Sequence, residues 1–228
     1  MKVAACLIVK DADNEAAHLK RCLKNLTPHV DGVFVNLNRK KGLKPSAEVR
    51  NVLRKYKAEV IETEWTGSFV KARTENFAQV PKDYDWILWV DVDDTIEHPE
   101  KIREVAAIAR DIDGVYIKYD YAHDEYGNVT VFHWVARLVK NNGSFAWKSS
   151  FADGEVTVHE TLNERRRVKK AMNEEFWITH HAEEERRDAS LQRNIELLEG
   201  MLEKTSSNPD PRILYYLATH YVDAGRRS

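Results

Sequence analysis

Residues 2 to 110 alternate between short apolar runs and stretches of helical period, and that alternation constrains the fold more than any other feature of the chain. Residues 2 to 9 form a continuous apolar run, the mark of a strand buried on both faces. Ala16, Leu19, Leu23 and Leu26 then recur at three-four spacing, predicting a helix with Asp13 or Asn14 as its cap and Pro28 just past its end. Val33-Phe34-Val35 reads as a second strand, Pro45 opens a second helix with Val49, Val52, Leu53 and Tyr56 on one face, and residues 59 to 64 supply a third strand. Gly67-Ser68 breaks the chain before a helix over 69 to 80, and Trp86-Ile87-Leu88-Trp89-Val90 is the most strand-like run of all. Strands and helices in strict alternation pack as a parallel sheet with right-handed crossovers and helices on its faces.

After Pro99 one more helix, with Ile102, Val105, Ala106 and Ile108 inward, precedes a change of pattern. Val115, Ile117, Tyr119 and Tyr121 alternate as a strand exposed on one face, Tyr126-Gly127-Asn128 turns, and residues 129 to 139 return as the hairpin partner. Further on, Leu191, Ile195, Leu198 and Leu202 form one stripe. Beyond Asn208-Pro209-Asp210-Pro211, Ile213, Leu214, Leu217, Ala218 and Tyr221 form another, closed by Gly225. The expected fold is therefore α/β: a three-layer, mostly parallel sheet with antiparallel additions over residues 1 to 185, and a helical hairpin over 186 to 228. Such a hairpin cannot bury its faces alone and reads as the first unit of a helical repeat array.

At about 150 residues per domain, 228 residues allow one catalytic-size domain and a remainder. The balance of 35 Lys plus Arg against 37 Asp plus Glu gives a formal net charge of −2, which excludes a uniformly basic surface for nucleic acid or an anionic membrane. Only the local runs Arg39 to Lys44 and Arg165 to Lys170 are basic, with too few aromatic neighbours for base stacking, so nucleic acid is a disfavoured partner. No run of about 18 apolar residues occurs, and charge interrupts the N-terminal segment too early for a signal peptide, so a cytoplasmic location is expected. Cys6 and Cys22 are too few for a disulfide framework or a thiolate zinc site.

Chemistry is expected where the fourth strand ends, because open parallel sheets bind ligands beyond the carboxyl ends of their strands. Asp91-Val92-Asp93-Asp94 stands there. On an extended strand Asp91 and Asp93 would project to the same side and share a hard divalent cation, or a cation and a ribose hydroxyl. Oxygen ligands suit magnesium or manganese.

These segments resemble a family. Ile8-Val9-Lys10 with Asn14-Glu15, Val30-Asp31-Gly32-Val33, Glu64-Trp65-Thr66-Gly67-Ser68-Phe69 with Ala72-Arg73, the run from Trp86 to Asp94, and Val158-His159-Glu160-Thr161-Leu162 look like the ordered motifs of family-2-like inverting glycosyltransferases of the A fold. The last forty or so residues look like the tetratricopeptide-type extension that some members carry. The resemblance implies a nucleotide-sugar donor, a UDP-sugar first among them, a Mn2+ or Mg2+ ion at the D-x-D, and direct displacement by a hydroxyl of an acceptor glycan, protein or other compound. It implies that Asp91 meets the ribose or a metal-bound water, that Asp93 and His159 complete the metal site with Asp91, and that Asp94 faces the sugar. Arg73 would contact the nucleotide or orient the D-x-D loop, and Val9 and Lys10 would line the donor pocket.

Inverting transfer needs a carboxylate to take the acceptor's proton; Glu160 is the first candidate, Asp153 the second, and Asp124 a third. The chain departs from the family after strand two. Members usually carry an aspartate and a Gly-Ser-Thr-Asp run there, whereas Asn36-Leu37-Asn38-Arg39-Lys40-Lys41-Gly42 stands here, so that Asn36 or Asn38 would meet the base edge. Thr74 stands where an asparagine commonly follows the arginine. Two rival readings remain. Asp91-Val92-Asp93-Asp94-Thr95 also resembles the signature of haloacid-dehalogenase-type phosphatases, with Asp91 as nucleophile and Asp93 as acid-base residue, and a non-catalytic nucleotide- or partner-binding module is the third possibility. The acceptor and the oligomeric state are open at this level.

Overall fold

In the computed structural model, residues 1 to 149, 160 to 181, 184 to 204 and 209 to 225 are described. The first half follows the predicted alternation: β1 (Val3–Lys10), α1 (Ala16–Leu26), β2 (Gly32–Arg39), α2 (Ala47–Lys55), β3 (Glu59–Glu64), α3 (Phe69–Ala78) and β4 (Trp86–Trp89). Then come β5 (Asp94–Glu97), α4 (Ile102–Ile108), β6 (Gly114–His123), β7 (Val129–Lys140), β8 (Phe145–Ser149), β9 (Glu160–Glu164), β10 (Lys170–His180), α5 (Glu184–Lys204) and α6 (Pro211–Asp223). The α/β sheet has eight strands in the order β3-β2-β1-β4-β7-β6-β10-β5, and β8 pairs with β9 in a separate ribbon. Strands β3, β2, β1 and β4 are mutually parallel, β7 runs against β4 and β6, β10 is parallel to β6, and β5 is antiparallel to β10. The sheet is thus mostly parallel with antiparallel additions.

The chain divides into two units. The first comprises Met1–Trp65, Ala72–Ala146 and Leu162–His181 and holds the eight-stranded sheet. Its core gathers Val3, Ala5, Leu7 and Val9 of β1, the inner stripe of α1 (Leu19, Leu23, Leu26), and Trp86, Leu88, Ile102, Ile117, Leu138, Phe176 and Ile178. Each such fully buried side chain contributes about 1.5–3 kcal/mol relative to exposure, before the entropy of ordering it. The second unit comprises Thr66–Lys71, Trp147–Thr161 and Ala182–Ser228. In it α5 and α6 pack through Ile195, Leu198, Ile213 and Leu217, the helical hairpin expected from the stripes.

Several local devices differ from the sequence reading. A single 3-10 turn over Asp13–Glu15 leads into α1, and neither Asp13 nor Asn14 caps it; Asp13 instead accepts a hydrogen bond from the Ser46 hydroxyl at 2.5 Å. Pro45 is not the first residue of α2, because Ser46 is the cap and accepts from the Val49 amide at 3.1 Å. The short β5, hidden among polar residues, exists because it has partners on both sides. Its backbone pairs with β10, and Asn25 of α1 exchanges two hydrogen bonds with Ile96 in the manner of a neighbouring strand. In β10, register with β6 slips between Asn173 and Ile178, where Asn173 accepts from the Glu175 amide and donates to the Phe176 carbonyl. That slip erases the alternation by which β10 would have been visible.

Candidate active site

The acidic run is a turn and not an extended segment. β4 ends at Trp89, the Asp94 amide donates to the Asp91 carbonyl at 3.1 Å, and the Asp91 amide donates back to the Asp94 carboxylate at 3.0 Å. The Asp93 carbonyl is pinned by the His181 amide at 3.0 Å and by the Arg21 guanidinium at 3.3 Å. Asp91 and Asp93 therefore do not lie side by side as an extended strand would place them.

Asp91 meets two guanidinium groups. Arg73 of α3 donates to its Oδ1 at 2.6 Å, and Arg137 of β7 donates to its Oδ2 at 3.2 Å. Both cations also lie over the Trp89 ring, at 4.5 Å for Arg73 and 3.7 Å for Arg137, while the indole N–H donates to the Ala136 carbonyl at 2.7 Å. Burial works to push the Asp91 carboxyl up, but Arg73 and Arg137 outweigh it and hold the group well below the usual carboxylate range.

Asp94 is the opposite case. It is fully buried, its Oδ1 accepts from the Tyr119 hydroxyl at 3.1 Å and faces His180 Nδ1 at 3.2 Å, and its Oδ2 lies 3.6 Å from Arg137. Burial and the neighbouring Asp91 raise its carboxyl above the ordinary value despite the His180 contact. His180, the last residue of β10, responds in kind: burial works to lower it, but Asp94 and Asp93 prevail and raise it. Tyr121 stacks flat on the imidazole, with 5° between the rings and 5.4 Å between centroids, which fixes its orientation.

Asp93, Asp94 and His180 bring one ligand atom each within 4.8 Å of one another. Two carboxylates and an imidazole are a donor set that fits a divalent cation. Asp93 and His180 are partly exposed, whereas Asp94 is sealed in and orients the imidazole from behind.

The other predicted residues are distributed as follows. Val9 is buried within β1 and Lys10 is exposed at its end. Asn36 and Asn38 are buried: the Asn36 amide donates to the Ala72 carbonyl at 2.8 Å, the Asn38 amide donates to the Asn36 carbonyl at 3.0 Å, and the Thr63 hydroxyl donates to both side-chain carbonyls. Glu160 opens β9, half-buried, in the second unit. Asp124 holds the β6–β7 turn by accepting from the Tyr126 and Asn128 amides. Asp153 and His159 lie outside the described residues. Sequence analysis assigned no role to Arg137, Tyr119 or His180. The available signal for Arg137 was a charged residue inside the apolar run Val135 to Val139.

No family model and no curated protein matches the sequence. Among solved structures, the chain is similar to S. aureus TarS, at 12% identity over 97% of this chain and 43% of that one, with a TM-score of 0.48. It is similar to S. aureus TarS 1-349 in complex with UDP-GlcNAc, at 12% identity over 98% and 73% of the two chains, with a TM-score of 0.46. It is also similar to glucosyl-3-phosphoglycerate synthase from Mycobacterium tuberculosis in complex with Mg2+ and UDP, at 16% identity over 53% and 44%, with a TM-score of 0.38. The chain spans less than half the length of the first of these structures. No described helix is long and apolar enough to cross a membrane.

Proposed function

We propose that the chain is a metal-dependent glycosyltransferase that moves a sugar from a nucleotide-sugar donor, a UDP-sugar first among them, to an acceptor hydroxyl with inversion. The observation that carries this reading is the convergence of Asp93, Asp94 and His180 beyond the carboxyl end of β4, the position where an open parallel sheet receives its ligand. The ordered motifs of the chain add the resemblance to family-2-like transferases.

On this reading Asp93 and His180 offer the ligands and Asp94 sets the imidazole. A bound divalent ion would offset the charge that grows on the leaving diphosphate. The imidazole donor favours Mn2+ over Mg2+. Asp91 is committed to Arg73 and Arg137, so it shapes the turn; the same pairing speaks against its use as a phosphatase nucleophile. Lys10, exposed at the end of β1, offers a cation to the nucleotide. Glu160, with Asp153 next, is the acceptor's base, and His159 is a further metal ligand. Residues 1 to 185 form the catalytic region, and 186 to 228 are the first unit of a tetratricopeptide-like extension in a cytoplasmic protein.

A thermal-shift screen of nucleoside diphosphates and nucleotide-sugars, with and without Mn2+, tests the reading. UDP and UDP-GlcNAc come first. A ligand at a hundred times its Kd stabilises the folded state by about 2.7 kcal/mol, a rise of roughly 5–10 °C for a chain of this size. If no nucleotide raises the midpoint with metal present, the proposal is wrong.

A further inference from the structure

Arg137 occupies an unusual place for a charge. Its side chain is 3% exposed near the C-terminal end of β7, with apolar neighbours on either side along the strand. A buried guanidinium is tolerated only with compensation, and here the compensation is specific. The group stacks over Trp89 at 3.7 Å and over Tyr119 at 4.4 Å, and it reaches Asp91 at 3.2 Å and Asp94 at 3.6 Å. Arg73 reaches Asp91 at 2.6 Å. Arg137 forms ion pairs with both ends of the acidic turn.

Burial decides between two roles. A guanidinium that bound the donor's phosphates would have to leave Asp91, Asp94 and two aromatic faces to do so. One that stays in place acts through the turn it holds.

We infer that Arg137 is a positioning residue: by tying Asp91 to Asp94 from the sheet side, it sets the shape of the turn that presents Asp93 beside His180. The inference rests on the metal reading given under Proposed function. Lysine at this position keeps the charge but loses the planar fork that spans two carboxylates and stacks on two rings.

The test measures Mn2+ affinity from the free-ion electron paramagnetic resonance signal, together with the melting midpoint, for the parent chain, R137K and R73K. Removing a group that orients metal ligands typically weakens binding by about 10–100-fold, and a loss in that range is expected for R137K, with a smaller one for R73K. A merely structural role would lower the midpoint and leave the affinity of the folded protein unchanged; that result overturns the inference while the metal reading survives. A parent chain that binds no Mn2+ overturns both. Should R137K fail to fold, Trp89→Phe serves instead. It keeps every charge, thins the stack on the guanidinium and removes the indole bond to the Ala136 carbonyl, so weaker Mn2+ binding is expected and unchanged binding overturns the inference.

Discussion

The Asp94 carboxylate and the His180 imidazole lie 3.2 Å apart although 86 positions separate them in the chain. They meet because β5 and β10 pair antiparallel with these two residues directly opposite. The candidate site is consequently a product of long-range strand pairing. The acidic turn supplies one half, and the last strand of the sheet supplies the other.

Asp93→Asn separates binding from folding. Asp93 is partly exposed at a turn, so its loss as a charge is expected to change unfolding free energy by no more than about 0.5 kcal/mol. Mn2+ affinity is expected to fall by at least about tenfold, and by a similar amount in His180→Ala. Calorimetric titration with Mn2+ beside urea unfolding checks both; undiminished Mn2+ binding by either variant counts against the assigned ligands.

Asp91→Asn should behave in the reverse way. It removes the anion that two buried guanidiniums share and leaves them without full compensation, which costs about 3 kcal/mol or more. Urea denaturation of the variant reads that loss directly, and a change below about 1 kcal/mol would show that the Arg73–Asp91–Arg137 arrangement is not what holds the turn.

Acid should cost stability through Asp11. Burial works to raise this carboxyl, but the Ser46 amide, Arg50 and Arg39, all within 2.8 to 2.9 Å, prevail and hold it below its ordinary value. A depressed native pKa contributes stability that is fully present above the unfolded value of about 3.9 and is lost as pH falls through the native one. Asp11→Asn is expected to be less stable at neutral pH and to show a flatter stability curve below pH 4. Parallel curves for the two proteins across that range would rule the contribution out.

Gly114→Ala tests packing at the start of β6. A Cβ there would sit 2.6 Å from the Phe145 ring edge, and Phe145 is itself buried. Overpacking of this kind costs about 1–3 kcal/mol, and Phe145→Leu in the same chain should recover part of it. Additive losses in the double variant would mean the two sites do not touch.

The strand-helix half of the fold was legible because each unit carries its own period. Apolar runs marked β1, β2 and β4, and three-four spacing marked α1 and α2. The end of β4 pointed to Asp91 and Asp93 through topology, and the family resemblance added Asp94. What stayed hidden depends on partners. β5 has no apolar run and exists through Asn25 and β10; β10 loses its alternation at the Asn173 slip; His180 acquires its neighbours only when those strands pair. The turn at Asp91 to Asp94 was misread as extended because one of its two closing bonds uses the Asp94 side chain, whose conformation no local pattern specifies.

The thiol of Cys22 on α1 points its Sγ at the Asp91 carbonyl, 3.7 Å away, directly behind the acidic turn. Burial raises it far above the range in which a thiolate forms, with Asp94 and Asp91 adding to the effect, so alkylating reagents meet an unreactive group in the closed protein. Cys6, sealed in the centre of β1, is protected in the same way. The molecule thereby contains two chemical clocks. Labelling of Cys22 times the parting of α1 from the turn, and labelling of Cys6 times the opening of the whole sheet, so any ion or nucleotide that tightens the turn should slow the first clock more than the second.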